Sequence, residues 1–152
     1  KVEGGSVRVP TIQALVSNGI PAMGHIGLTP QSINETGGYK VQGKNSKEAE
    51  KLIRDATDLA DAGAFAIIIE CTPPELAAEV TKAVSVPTIG IGAGPDCDGQ
   101  ILVTHDVLGL YTGHTPKFAK QYCDLGSQIS NAVTQYKSET ESGSFPGKEH
   151  CY

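Results

Sequence analysis

The chain has 152 residues and a formal net charge of −5 at neutral pH. This length is sufficient for one domain with a hydrophobic core, and the acidic balance argues against nucleic acid or anionic lipid as a partner. The apolar runs are much shorter than a membrane-spanning helix, which argues against a membrane protein.

Four cysteines stand at positions 71, 97, 123 and 151, without a CxxC pair and without a His/Cys cluster at zinc spacing. Disulfides in a secreted domain and reduced thiols in an intracellular enzyme are both compatible with this count. An α/β chain of this length needs no covalent cross-links, so the pattern favours reduced thiols.

The first segments place charged side chains at strand ends. Lys1 and Glu3 alternate around a valine and therefore point to the same face of a short strand. A helix is predicted over residues 7–17, and a second strand over residues 20–27 carries His25 near its C-terminal end. Taken alone, these side chains are also explained by a surface ion pair and a hydrogen-bonded structural histidine.

A long polar loop is predicted over residues 28–47. Its length of about twenty residues exceeds normal connections and is typical of active-site lids, although an insertion without function is the alternative. Asn45 is predicted to cap the following helix, with Glu48 completing a capping box, and an apolar stripe continues to Gly63.

The most informative stretch is the apolar run over residues 64–69. It has strand length and does not alternate, which indicates a strand covered on both faces, as in a parallel sheet. Glu70 follows at the C-terminal end, where α/β folds place their chemistry. Thr72 is predicted to cap the next helix, with Glu75 closing the box. At this point, a catalytic base and a glutamate that only caps a backbone amide explain Glu70 equally well.

The remaining segments carry weaker signals. Residues 86–94 form a strand and a glycine-rich turn, but no helix follows, so a phosphate-binding loop lacks its structural context. A further strand is predicted over residues 100–105, ending at His105. Helices are predicted over residues 116–122 and 127–140.

Two pairs of consecutive predicted strand ends are separated by the same number of residues. The step from Glu3 to His25 and the step from Glu70 to Gly92 are each 22 residues, and the long loop explains the longer step between them. Repeated β/α units of this size predict an open Rossmann-type sheet or a (β/α)8 barrel. Four whole strands and one stub cannot close an eight-stranded barrel, so a barrel would require additional strands upstream.

Six motifs occur in the order in which they stand in the ketopantoate hydroxymethyltransferase family, and the chain resembles this family along essentially its whole length. They are GHIGLTPQ (residues 24–31), GGYKVQG (37–43), IECTP (69–73), IGIGAG (89–94), DGQILV (98–103) and FPG (145–147). The resemblance implies an α/β fold, the (β/α)8 TIM barrel of the phosphoenolpyruvate/pyruvate superfamily. Residues 1–152 would then be a single domain forming about the second half of the barrel, its C-terminal portion.

The resemblance also implies an activity. A hydroxymethyl group would pass from 5,10-methylenetetrahydrofolate to 3-methyl-2-oxobutanoate, giving 2-dehydropantoate for pantothenate biosynthesis. Mg²⁺ would bind the keto acid, and the protein would be a homo-oligomer, typically a decamer, without nucleic acid or membrane partners. Members are cytoplasmic in bacteria and often mitochondrial in eukaryotes. By resemblance, Glu70 is the catalytic base, Lys1 and His25 bind the substrate, and Glu3 belongs to the metal environment.

One departure from the family pattern limits this expectation. The family's two metal-binding aspartates and a serine that helps to bind the keto acid have no match, since Asp96, Asp98 and Asp106 lie in other units. Asn34 and Tyr39, in the long loop, receive no role. We therefore expect activity of the full-length protein and negligible hydroxymethyl transfer by residues 1–152 alone. A metal-dependent carbon–carbon lyase of the pyruvate superfamily and a non-catalytic half-barrel that acts as a binding subunit are the alternatives.

Overall fold

The computed structural model describes residues 1–32, 38, 40–111, 113 and 115–152. Asn34, Tyr39 and part of the predicted loop and of the motif over residues 37–43 lie outside the described residues. The chain forms two compact units, Lys1–Ile101 and Leu102–Tyr152.

The first unit is built on a parallel sheet of five strands whose spatial order follows the sequence. The strands are β1 (Val2–Glu3), β2 (Met23–Gly27), β3 (Ala66–Glu70), β4 (Thr88–Ile91) and β5 (Gly99–Gln100). The connecting helices are α1 (Val9–Ser17), α2 (Ser46–Asp61) and α3 (Pro74–Ala83), with short 3₁₀ helices at Ser6–Arg8 and Pro30–Ser32. The predicted α/β class with a parallel sheet is confirmed, and the strand order lacks the reversal that defines a doubly wound sheet.

The core of this unit lies around β3. Ile67 and Ile69 pack into the main hydrophobic cluster together with Leu59 of α2 and Val80 of α3. Ile68, which points to the opposite face of the sheet, is buried as well. Burial on both faces explains why this segment is continuously apolar rather than alternating.

The predicted N-cap of α2 is confirmed. The side-chain oxygen of Asn45 accepts the backbone N–H of Glu48 at 3.0 Å. The Glu48 carboxylate returns a bond at 3.0 Å, but to the backbone N–H of Lys44 rather than to that of Asn45. The reciprocal bond of the capping box therefore lies one residue further from the helix than predicted.

Replacement of this cap gives a first prediction. Asn45→Ala in the full-length protein is expected to lower the free energy of unfolding by about 1 kcal/mol, because the Glu48 amide loses its partner. Asn131→Ala, on an exposed helix surface, is the matched control and should leave stability unchanged or slightly increased. Urea denaturation measures both variants, and equal stabilities would contradict the assigned cap.

The predicted cap of α3 is wrong. Pro73 is the N-cap and α3 begins at Pro74, while the buried Thr72 hydroxyl donates to the Glu70 carbonyl at 3.2 Å. A residue that precedes proline is kept out of the helical region, and Pro73 accordingly has φ −53° and ψ 138°. The second proline thus delays the helix by one residue and leaves Thr72 to brace the end of β3.

The strand predicted over residues 100–105 is also wrong beyond its first residue. Strand β5 pairs with β4 only through Ile89 and Gly90, and the chain of β4 then turns away at Gly92, where φ is +64°. Without further partner residues the ladder ends, and His105 lies in a short helix, α4 (Thr104–Leu108).

The second unit consists of α4, α5 (Leu125–Ser142) and a 3₁₀ helix at Lys148–His150. Helix α5 confirms the prediction over residues 127–140 and extends it at both ends. The helix predicted over residues 116–122 is wrong: the segment makes only a turn closed by the Ala119 N–H and the Pro116 carbonyl. Seven residues are too few to sustain a helix without strong packing.

The four cysteines are free thiols, as the α/β pattern of the sequence favoured. Among the described residues, no helix is both long enough and apolar enough to cross a membrane.

Candidate active site

The register of the sheet brings the ends of β1, β2 and β3 together. Glu3 pairs with His25, and His25 pairs with Ile68. Glu70 follows Ile68 by two residues and therefore points to the same face. Because all three strands are parallel, these side chains meet at the C-terminal edge of the sheet.

His25 is the centre of this group and is fully buried, with 0% of its surface exposed. Its Nδ1 atom lies 2.9 Å from Lys1 Nζ, and its Nε2 atom lies 3.0 Å from Glu70 Oε2. Since an ammonium group only donates, Nδ1 is the acceptor and Nε2 carries the proton. The Nε2 contact is short but lies off the ring N–H direction, so this buried nitrogen has no well-directed hydrogen bond.

Glu3 lies beside the histidine and is held on both oxygens. Oε1 is 3.3 Å from Lys1 Nζ and 3.5 Å from His25 Nδ1, and Oε2 accepts the backbone N–H of Gln31 at 3.0 Å. Burial acts to raise the pKa of Glu3, but the Gln31 amide and the Lys1 ammonium outweigh it and hold the pKa below its ordinary value. The carboxylate is therefore ionised at neutral pH.

Glu70 is fixed through its backbone while its carboxylate keeps access to solvent. Its carbonyl accepts the Leu28 N–H at 2.9 Å as well as the Thr72 hydroxyl, and 14% of its side-chain surface is exposed. The next residue, Cys71, has φ +52°, a left-handed conformation that costs a residue other than glycine about 1–2 kcal/mol. Its N–H donates to Ile91 and its carbonyl accepts from Gln42, which holds the turn in place.

All four of the predicted site residues are therefore brought together by the fold. An exposed ion pair does not describe Lys1 and Glu3 adequately, because both lie within 3.5 Å of the buried imidazole. The arrangement offers an ammonium that can neutralise an anion, and a partly accessible carboxylate, Glu70, that can accept a proton. Sequence reasoning missed the Gln31 contact, which is made by the main chain and so has no side-chain signature.

The residues present fit Mg²⁺ in ligand type but not in number. Magnesium prefers six oxygen ligands, and Glu3 offers carboxylate oxygens, although Lys1 and Gln31 already bond to them. Among the described residues, no group of three or more His, Cys, Asp or Glu side chains could hold a metal ion. This chain could contribute one ligand, or an acceptor for a metal-bound water, rather than a complete metal centre.

Comparison with known proteins identifies the family to which the chain is similar. Residues 1–148 match the family model described as ketopantoate hydroxymethyltransferase. The chain is 55% identical over 152 residues to the 3-methyl-2-oxobutanoate hydroxymethyltransferase of Syntrophomonas wolfei and 56% identical over 152 residues to that of Carboxydothermus hydrogenoformans. It is 57% identical over 150 residues to the enzyme of Syntrophobacter fumaroxidans.

These alignments cover 99–100% of this chain and 53–55% of the relatives, so the chain spans about half the length of the curated relatives it matches. The family match nevertheless extends over nearly all of the residues, including every strand that carries a predicted site residue. The chain belongs to the ketopantoate hydroxymethyltransferase family.

Proposed function

We propose that the full-length protein containing this chain transfers a hydroxymethyl group from 5,10-methylenetetrahydrofolate to 3-methyl-2-oxobutanoate, giving 2-dehydropantoate. The observation that carries the proposal is the meeting of Lys1, Glu3, His25 and Glu70 at one edge of the sheet. Family membership and relatives named for this activity support it.

We further propose that the five strands are the C-terminal portion of a (β/α)8 barrel. Their sequential parallel order, without a reversal of direction in the strand order, supports a barrel over an open, doubly wound sheet. A single domain, a homo-oligomeric assembly and a cytoplasmic location remain predictions of the family resemblance.

Glu70 is proposed to remove the proton from C3 of the keto acid. The C3–H bond breaks, its electron pair forms the C2–C3 double bond, and negative charge develops on the C2 oxygen. The proton moves to the Glu70 carboxylate, which is both accessible and fixed by its backbone contacts. A bound divalent cation, with Glu3 among its surroundings, would stabilise the charge on that oxygen.

His25 is proposed to position the base rather than to transfer protons. Its Nδ1 is bonded to Lys1, the ring is fully buried, and Nε2 lies 3.0 Å from the Glu70 carboxylate. Lys1 donates to His25 and to Glu3, which leaves it one further N–H donor that can bind the carboxylate of the substrate. The enolate then forms a carbon–carbon bond to the one-carbon unit, whose two C–N bonds to the folate break. Water supplies the hydroxyl group of the product, and its remaining proton and the proton taken from C3 go to the two released nitrogens of tetrahydrofolate. No described residue is assigned to the folate.

The direct test is product formation by the full-length protein. With Mg²⁺, keto acid and 5,10-methylenetetrahydrofolate, we expect 2-dehydropantoate, detected by mass spectrometry, whereas residues 1–152 alone should form almost none. Cleavage of a 2-oxo acid without folate-dependent synthesis would instead favour a carbon–carbon lyase. Turnover by the isolated chain would contradict the expected need for the rest of the protein.

A further inference from the structure

We infer that Asp55 of α2 is a positioning residue that holds Lys1 and Glu3 in place; this inference rests on the proposed function. Asp55 is only 4% exposed and lies on the buried face of α2, next to Ala56 and near Leu52 and Leu59. A buried carboxylate is costly unless it is paired. The proposed reaction gives this carboxylate no task, so its partners must explain its presence.

Its partners connect α2 to the turn that follows β1. Asp55 Oδ1 accepts the backbone N–H of Ser6 at 2.9 Å and the Ser6 hydroxyl at 2.7 Å. Oδ2 pairs with Lys51 Nζ at 2.5 Å, one helical turn earlier. The first N–H groups of a helix lack partners within that helix. Asp55 therefore caps the 3₁₀ helix Ser6–Arg8 from a different element.

The contact between Asp55 and the turn also explains why position 5 is a glycine. A Cβ atom at this position would lie 2.0 Å from Asp55 Cγ, too close for any side chain. The close approach of Asp55 therefore requires a residue without a side chain at this position. The Asp55 carboxylate occupies the space that a side chain at position 5 would need.

Two further hydrogen bonds connect this turn to the candidate active site. The Gly4 N–H donates to the carbonyl of His25 at 3.0 Å, and Arg8 Nε donates to the carbonyl of Glu3 at 3.1 Å. These bonds fix the backbone on the Glu3 side of the turn, and Asp55 fixes it on the Ser6 side. Because Asp55 contacts none of the four site side chains, it acts through the backbone and is not itself catalytic.

This role predicts a selective kinetic effect. A loosened turn displaces Lys1 and Glu3, which are proposed to bind the keto acid and its cation, but it leaves Glu70 on β3. In the full-length protein, Asp55→Ala removes both bonds to Ser6 and should therefore raise the KM for the keto acid ~10-fold while kcat changes less than about threefold. Asp58→Ala, three residues further along α2, is the matched control and should change neither.

Two more variants separate positioning from general destabilisation. Gly5→Ala perturbs the same turn from the opposite side and should also raise KM selectively. Combining Asp55→Ala with Glu3→Gln should raise KM by less than the product of the two single effects, because the displaced carboxylate is already removed. If Asp55→Ala fails to fold, Ser6→Ala removes the 2.7 Å bond alone and should raise KM in the same direction.

The inference is overturned if Asp55→Ala leaves KM unchanged, lowers only the apparent kcat in proportion to the loss of folded protein, or combines multiplicatively with Glu3→Gln. A crystal structure of the variant gives a readout that does not depend on activity. We expect displacement of the turn and of the Glu3 carboxylate from the Gln31 amide; an undisplaced carboxylate would also overturn the inference. If the wild-type protein forms no 2-dehydropantoate, the proposed function fails while this structural test still stands.

Discussion

Glu70→Gln in the full-length protein is expected to lower kcat for 2-dehydropantoate formation by about 10²–10⁴-fold, the usual contribution of a general base. The amide nearly matches the shape of the carboxylate and can keep an oxygen near His25 Nε2, 3.0 Å away in the wild type. It cannot take up the C3 proton at neutral pH. Steady-state kinetics with saturating folate measures the effect.

Glu75→Gln provides the matched control for this variant. Glu75 lies in the exposed first turn of α3, five residues after Glu70, and it is not among the residues at the sheet edge. The control should retain kcat within about twofold, as expected for a surface change. A Glu70→Gln enzyme that keeps more than about a tenth of the wild-type kcat would show that another group removes the proton.

Glu3→Gln is expected to weaken Mg²⁺-dependent binding of 3-methyl-2-oxobutanoate by about 10–100-fold, the range found for residues that support a metal site. The substitution removes a negative charge that Lys1 and the Gln31 amide keep ionised in the wild type. Calorimetric titration of the full-length protein with keto acid, at several Mg²⁺ concentrations, measures the change without turnover.

The control for this variant is Glu50→Gln, on an exposed position of α2. It should bind the keto acid with wild-type affinity at every Mg²⁺ concentration. If Glu3→Gln binds the keto acid as tightly as the wild type, or loses the same factor with and without Mg²⁺, then Glu3 has no part in the metal environment.

The elements that were predictable are those whose signals are local or periodic. The apolar run over residues 64–69 predicted β3, since continuous apolar residues in a short segment indicate burial on both faces. Asn45 and the stripe that follows predicted α2 and its cap. The errors at Thr72 and over residues 100–105 arose where a neighbouring proline or a missing ladder partner overrode a plausible local pattern.

The sequence indicated which residues form the site, but not how they are arranged. Charged groups at the C-terminal ends of consecutive parallel strands share one edge, so Glu3, His25 and Glu70 could be expected to meet. The central position of His25 depends on the sheet register, which the sequence leaves open. The contacts of Gln31 and Asp55 were not predictable. The Gln31 N–H donates to Glu3, and Asp55 accepts the Ser6 N–H, but these partners are distant in the sequence and no motif marks them.

The proposed reaction begins with removal of the C3 proton of the keto acid by Glu70. Exchange of this proton can be followed by NMR in D₂O, with full-length protein, 3-methyl-2-oxobutanoate, Mg²⁺ and tetrahydrofolate. We expect folate-dependent exchange with the wild type and with Glu75→Gln, and none above background with Glu70→Gln. Exchange by Glu70→Gln at the wild-type rate would contradict the assignment of Glu70 as the base.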